Sequence, residues 1–227
     1  MFYYDWTMLL VIPGLLLGMW AQFKVKSSFE KYQNVRASNG VSAERIARAL
    51  LSRSGCDAVN IEPTAGQLTD HYDPKSNILR LSASVYGSSS VAAIGVAAHE
   101  CGHAMQQHEG YSMLRLRSAL VPVVNIGSNL YFPIFLLGLV FSWQPLIGVG
   151  IACFALTLLF ALVTLPVEFN ASNRAIRALS SGGYLTEEEL RGAKAVLDAA
   201  ALTYVASAIS SLLQLVRLLL IARRNDD

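Results

Sequence analysis

Two histidines and a glutamate near the middle of the chain have the spacing of a metal-dependent hydrolase. Residues 99–103 read His-Glu-Cys-Gly-His, and positions four apart on an α-helix lie within about 40° of each other around its axis. The imidazoles of His99 and His103 can therefore bind one zinc ion. Glu100 projects beside that ion, where its carboxylate can accept a proton from zinc-bound water. The pattern combines two ligands with a general base.

The alternative for so short a pattern is a surface helix with two incidental histidines. The residues before the motif disfavour that alternative. Residues 88–90 are serines that can cap a helix, and residues 91–98 are small or apolar, as in a buried helix. The chain has only four histidines, and two of them have this spacing. Cys101 lies about 100° from its neighbours around the helix, so we interpret it as a small packing residue.

Composition indicates an integral membrane protein. The chain has 227 residues, of which 53% are hydrophobic and only 15% charged, and few soluble domains have so few charges. A net charge of +2 without a basic, aromatic-rich patch excludes nucleic acid as a partner. Three cysteines without CxxC spacing indicate a reducing compartment.

Three apolar runs, at residues 7–23, 120–141 and 146–165, are long enough to cross a bilayer. Lys24 and Lys26 follow the first run, which places the amino terminus outside and the following segment in the cytoplasm. A cleaved signal peptide would need positive charge at its start, where this chain has Asp5. The second and third runs form a hairpin, and Arg174 and Arg177 after it agree with a cytoplasmic exit.

Residues 27–117 are predicted to form a soluble part that contains the motif helix. We expect a helix over residues 41–51, a strand at 59–61, a polar turn at 69–75 and a strand at 77–82. The last strand could be the edge along which an extended peptide pairs. An ordinary sheet without substrate contact is the alternative.

A zinc hydrolase needs three protein ligands and an open position for water. The metzincin arrangement would make Glu109 the third ligand, but Gln106 replaces its midpoint glycine, and His108 lies off the ligand face. Glu168 is the better candidate, because three spans place it on the side of His99 and His103. Pro166 would begin a new helix there or kink the chain. A helix-start charge favoured by the dipole is the alternative role for Glu168.

Residues 166–199 are predicted to carry the third ligand and cytoplasmic helices, one of which opens with a capping box at Thr186–Glu189. Residues 201–222 form either a fourth span or a tilted interfacial helix with one polar stripe. As a span, they would place Arg223 and Arg224 outside, against the charge bias. Tyr204 could donate a hydrogen bond to the oxyanion, and an ordinary interface aromatic is its alternative role.

Several stretches resemble the YugP-type family of membrane zinc metallopeptidases and, more distantly, integral-membrane gluzincins of the HtpX and Ste24 types. They are the first span, residues 69–74 with the strand at 79–82, 97–104, 166–172 and 202–206. The resemblance implies that His99, His103 and Glu168 are zinc ligands and Glu100 the general base. HtpX-type enzymes carry an aspartate four residues after the third ligand, and here that residue is Ser172. We expect Asn170, Asn173 or Asp198 to make its contact instead.

Together these observations predict a mainly α integral membrane protein forming one domain over residues 1–227. Its transmembrane helices would adjoin a cytoplasmic zincin-like catalytic region with a small β element, in a multi-pass protein of the plasma membrane. The predicted function is a zinc-dependent endopeptidase that uses a zinc-activated water and a glutamate base on peptide or membrane-protein substrates. A non-catalytic metal-binding scaffold or chaperone-like adaptor is the alternative. A transporter is disfavoured, because the hairpin spans contain no charges.

Overall fold

The computed structural model describes residues 5–225, and helices make up 73% of these residues. Six α-helices and three strands follow one another within these residues. The helices are α1 (Val11–Gln33, after a 3-10 turn at Trp6–Leu10), α2 (Ala43–Arg53), α3 (Val91–His108), α4 (Ser112–Val140), α5 (Gln144–Ser181) and α6 (Glu187–Arg224). The strands are β1 (Asn60–Thr64), β2 (His71–Asp73) and β3 (Ile78–Ser82).

Within residues 5–225, four helical segments are long and apolar enough to cross a membrane: Trp6–Gln33, Ser112–Val140, Gln144–Ser181 and Glu187–Arg224. Each extends beyond the apolar run that the sequence indicates. An α-helix pairs its own backbone groups in lipid and in water alike, so it need not end where its side chains become polar. Of the two roles that the sequence predicts for Pro166, the start of a new helix is wrong, because Pro166 lies inside α5.

The first of two compact units comprises the described residues within Met1–Ala21, Leu116–Leu165 and Leu202–Asp227. Close helix contacts in this unit depend on glycine, as a Cβ at Gly138 would lie 2.7 Å from the backbone nitrogen of Ile147. Small residues let membrane helices approach each other in this way. A buried cluster of Phe135, Ile147, Phe154 and Leu218 completes its interior.

Asp5, which precedes the first span, contacts α6 within this first unit. Asp5 accepts a hydrogen bond from Nη2 of Arg217 at 2.9 Å, and its other oxygen accepts from the hydroxyl of Thr7 at 2.6 Å. Thr7 is fully buried. A charged side chain within an apolar helix is costly unless it has a partner, so Asp5 stabilises Arg217 at its place in α6.

The second unit comprises Gln22–Arg115 and Pro166–Ala201. Its core contains one face of α2, most of α3 and buried residues of β3, with Leu79, Leu81 and Ile94 completely inaccessible. The three strands form one sheet in the order β1-β3-β2. β3 is parallel to β1 and antiparallel to β2.

The sheet corrects two expectations from the sequence. The strand expected at residues 77–82 is the central strand β3, so the hypothesis that it forms a free edge for a peptide is wrong. The segment expected to be only a polar turn, 69–75, contains the edge strand β2. The carboxylate of Asp70 anchors this strand by accepting hydrogen bonds from the backbone N–H and hydroxyl of Ser82 at 2.7 and 2.8 Å.

Two predicted helix caps are confirmed. The side chain of Ser90 accepts a hydrogen bond from the N–H of Ala93 and begins α3. At the start of α6, Glu189 accepts from the N–H of Thr186, and the Thr186 hydroxyl accepts from the N–H of Glu189. This reciprocal pair is the capping box that the sequence predicts.

Candidate metal centre

The two motif histidines lie on consecutive turns of α3 and face the same side. Their rings are nearly perpendicular, with centroids 4.8 Å apart. Both side chains are largely buried, with 15% of His99 and 12% of His103 exposed. Most residues of α3 around them are small and buried, including Ala97, Ala98 and Cys101. Cys101 is completely buried and its thiol contacts the carbonyl of Ala47, which confirms its packing role.

α5 supplies the third residue by passing very close to α3. The contact point is Gly102, where a Cβ atom would collide with the backbone carbonyl of Ala171. Any larger residue at this position would separate the two helices. Glycine within the motif therefore allows side chains of α5 to reach the two histidines.

Glu168 projects from α5 between the two imidazoles. Its Oε2 atom lies 3.3 Å from Nε2 of His99 and 3.6 Å from Nε2 of His103. The residue is only 2% exposed. The potential ligand atoms of these three residues all lie within 4.8 Å of one another.

Each histidine has a polar partner on its other ring nitrogen. Nδ1 of His99 lies 3.0 Å from the hydroxyl oxygen of Ser172, and Nδ1 of His103 lies 3.0 Å from Oε1 of Gln106. Both Nε2 atoms consequently face Glu168. Such partners on the distal nitrogen orient histidines that bind metals.

The contact to His99 corrects an expectation from the sequence. The sequence predicts that Asn170, Asn173 or Asp198 makes this contact in place of Ser172, but the hydroxyl of Ser172 itself lies against the His99 ring. Asn170 instead accepts a hydrogen bond from the Gln106 amide at 3.0 Å. Serine has a shorter side chain than the aspartate that HtpX-type enzymes carry at this position. Its hydroxyl still reaches the ring, because the close contact at Gly102 brings the backbone of α5 near His99.

Charges at the site favour a cationic imidazole in the metal-free chain. Burial lowers the pKa of His103, but the nearby carboxylates of Glu168 and Glu100 outweigh burial and raise that pKa overall. A divalent cation held by His99, His103 and Glu168 would replace this proton electrostatically. The site therefore suits a divalent cation as well as it suits a protonated histidine.

Glu100, the residue between the histidines in the motif, is held from the opposite side by the sheet. Its Oε2 atom accepts a hydrogen bond from the backbone N–H of Tyr72 at 2.9 Å. Tyr72 lies in the edge strand β2, so a strand absent from the sequence-based expectation fixes this carboxylate. Glu100 is 8% exposed.

The other candidates from the sequence do not join the triad. Glu109 is the C-cap of α3 and pairs with Arg174. His108 is the last residue of α3, and its ring packs near Gly55. Tyr204 is part of α6 in the first compact unit, and its role at the oxyanion stays a prediction.

Sequence reasoning missed three groups that contact the central residues: the amide of Gln106, the hydroxyl of Ser172 and the N–H of Tyr72. Gln106 had a usable signal, because it follows His103 by three residues and so lies on the same helix face. Ser172 similarly follows Glu168 by one helical turn. The Tyr72 contact has no local signal, because it joins residues 28 apart in the chain.

The residues present fit a zinc ion. Two imidazole nitrogens and one carboxylate oxygen are the ligands of thermolysin-like catalytic zinc sites, in which a fourth position stays open for water. Here each imidazole directs Nε2 inward while Nδ1 is engaged elsewhere. His99, His103 and Glu168 would hold the ion.

Comparison with known proteins assigns the class. Residues 7–223 match the model of a family described as "Putative neutral zinc metallopeptidase", and the chain belongs to this family. It is similar to the "Putative membrane protease YugP" of Bacillus subtilis (strain 168), with 48% identity over 218 residues. That alignment covers 96% of this chain and 97% of the relative. No solved structure matches the chain.

Proposed function

We propose that this protein is a membrane-embedded zinc endopeptidase of thermolysin-like chemistry. The observation that carries the proposal is the convergence of His99, His103 and Glu168, whose ligand atoms lie within 4.8 Å of one another. Family membership and similarity to a named membrane protease support the same activity. The substrates are peptides or membrane proteins with apolar segments, since four helical segments are apolar enough to hold the enzyme in a bilayer.

The three ligands and Glu100 have separate roles. Bound zinc supplies a Lewis acid that polarises the scissile carbonyl and lowers the pKa of water toward about 7. Glu100 accepts a proton at its carboxylate and delivers it to the leaving amine. The Tyr72 N–H fixes one oxygen of Glu100, so the other oxygen stays available for this proton.

A donor to the developing oxyanion is the remaining requirement. Tyr204 is our candidate, because a phenol can donate one hydrogen bond without a change of charge. Tyr204→Phe removes this donor and keeps the ring. We expect it to lower kcat with little change in KM, whereas loss of an interface aromatic contact would leave kcat unchanged.

The metal centre faces the cytoplasm in this proposal. Lys24, Lys26 and Lys31 lie at the carboxyl-terminal end of the first candidate span, on the segment that leads to α3. Arg174 and Arg177 lie beyond the apolar part of α5. Positive residues at both places favour the cytoplasmic side of the plasma membrane.

The direct test is zinc content and proteolysis of the full-length chain in detergent. One zinc per chain is expected, with casein cleavage that a chelator abolishes and added zinc restores. Glu168→Gln removes the charged ligand and should lose both zinc and activity, while the matched control His108→Gln should keep both. Zinc bound without cleavage of any substrate would favour a non-catalytic scaffold, and absence of zinc would refute the proposal.

A further inference from the structure

Gln106 is a fully buried amide one helical turn beyond His103 on α3. With no exposed surface, its polar atoms must be paired by protein neighbours. Its Nε2 atom donates to the backbone carbonyl of Val167 at 2.8 Å and to Oδ1 of Asn170 at 3.0 Å. A backbone carbonyl can only accept, so Val167 determines which end of the Gln106 amide faces α5.

The amide oxygen of Gln106 consequently faces Nδ1 of His103 at 3.0 Å. An amide oxygen is only an acceptor, so the imidazole must carry a hydrogen on Nδ1. When the ring is neutral, Nε2 then keeps its lone pair and faces Glu168. The other neutral tautomer would put the hydrogen on Nε2, where Glu168 could accept it and no metal could bind.

We propose that Gln106 is a positioning residue that holds His103 in the Nδ1–H tautomer and so prepares Nε2 to bind zinc. The role of zinc rests on the proposed function, but the tautomer is a property of the metal-free chain as well. Asn170 reinforces the arrangement, because its Oδ1 atom also accepts from Nε of Arg174 at 2.7 Å. Two donors to this oxygen fix the Asn170 amide, which in turn fixes that of Gln106.

Gln106 could orient His103, or it could only link α3 to α5 through its hydrogen bonds. Two substitutions distinguish these roles. Gln106→Met and Gln106→Glu are similar in size, and neither keeps the amide N–H that bonds to Val167, so both should lower the melting temperature. Only Gln106→Met lacks an oxygen facing His103. We expect it to weaken zinc affinity of the full-length chain about 10- to 100-fold, and Gln106→Glu to stay close to wild type. Equal losses in both variants would overturn the proposal.

The tautomer itself is measured by ¹⁵N NMR of histidine-labelled, zinc-free protein, above the pH at which His103 becomes neutral. Wild type should carry its hydrogen on Nδ1, and Gln106→Met should shift it toward Nε2. Ser172→Ala is the matched control and should change only the signals of His99. A hydrogen on Nε2 of His103 in wild type would refute the proposal. If wild type binds no zinc, the proposed function fails, but these spectra still decide the role of Gln106.

Discussion

Gly102 of α3 lies directly against the backbone of Ala171 in α5, with no room for a Cβ atom between them. This contact sets the distance from which Glu168 and Ser172 reach the two histidines. We therefore predict that Gly102→Ala displaces α5, lowers stability by about 1–3 kcal/mol and weakens zinc binding at the same time. Thermal unfolding and a zinc competition titration measure the two effects.

The control for this substitution is Gly148→Ala, because Gly148 is also helical and a Cβ there has no neighbour within 4 Å. It should leave zinc affinity unchanged. Zinc affinity of Gly102→Ala equal to that of the control would contradict the importance of the close helix contact.

Ser172 gives a graded test of the partner on His99. Removing its hydroxyl in Ser172→Ala takes away the hydrogen-bond partner of Nδ1 of His99, so zinc affinity should fall about 10-fold or more. Ser172→Asp supplies a stronger acceptor on the same turn and should bind zinc at least as tightly as wild type. An unchanged affinity in Ser172→Ala would show that this hydroxyl does not orient the ligand.

The anchor of strand β2 predicts a pH dependence of stability. Burial raises the pKa of Asp70 above its usual 3.8, outweighing its hydrogen bonds from Ser82, and the charge of Glu100 adds to the increase. A raised acid pKa means that the fold prefers the protonated carboxyl. Wild type should therefore lose stability relative to Asp70→Asn as pH rises through this pKa. Melting temperatures between about pH 3.5 and 7 measure the difference.

Asp73 in the same strand provides a control of opposite sign. The hydroxyl of Ser76 and the N–H of Lys75 donate to its carboxylate and lower its pKa. A lowered acid pKa stabilises the fold at neutral pH, and this contribution is lost on acidification. The stability difference between wild type and Asp73→Asn should therefore shrink as pH falls. The same slope for both variants would refute the assignment of these shifts.

The ion pair between Asp5 and Arg217 predicts that α6 crosses the membrane. Arg217 lies near the carboxyl-terminal end of α6, and pairing with Asp5 requires this end to lie on the same side as the start of the first span. Alkaline phosphatase fused after residue 227 should therefore be active outside the cell, whereas a fluorescent protein fused there should not fluoresce. A cytoplasmic carboxyl terminus would contradict a fourth span.

Charge exchange tests the pair itself. Asp5→Arg places two cations together and should lower the amount of folded protein in the membrane, and Asp5→Arg with Arg217→Asp should restore it. Failure of the double variant to restore what the single variant loses would mean that the pair does not hold the two ends together.

Local sequence predicts those parts of this protein that depend on one helix. The spacing of His99 and His103 places both on one face, and the capping box at Thr186 marks the start of α6, because each depends only on residues within a turn or two. Glu168 is far from the motif in sequence, so its place beside the histidines is predicted only from the order of the spans. The structure brings it to the two histidines.

The parts of the fold and the site that local sequence does not predict depend on how separate helices and strands are aligned. Whether Ser172 or Asn170 faces His99 is decided by the register of α5 along α3, which the contact at Gly102 sets. β2 has only three residues, too few for a clear alternation of polar and apolar side chains. Its pairing with β3 and its contact to Glu100 therefore arise from tertiary packing. Helix ends were misplaced for a physical reason, since an apolar run marks the lipid-facing part of a helix and not its full length.

In the proposed mechanism, Glu100 acts as a base beside a zinc ion that it does not bind. The most direct measurement compares zinc content and casein cleavage of Glu100→Gln with those of wild type in detergent. We predict one zinc per chain in both proteins and a rate of cleavage about 10²- to 10⁴-fold lower in the variant. Undiminished cleavage by Glu100→Gln would contradict the role of Glu100 as the base.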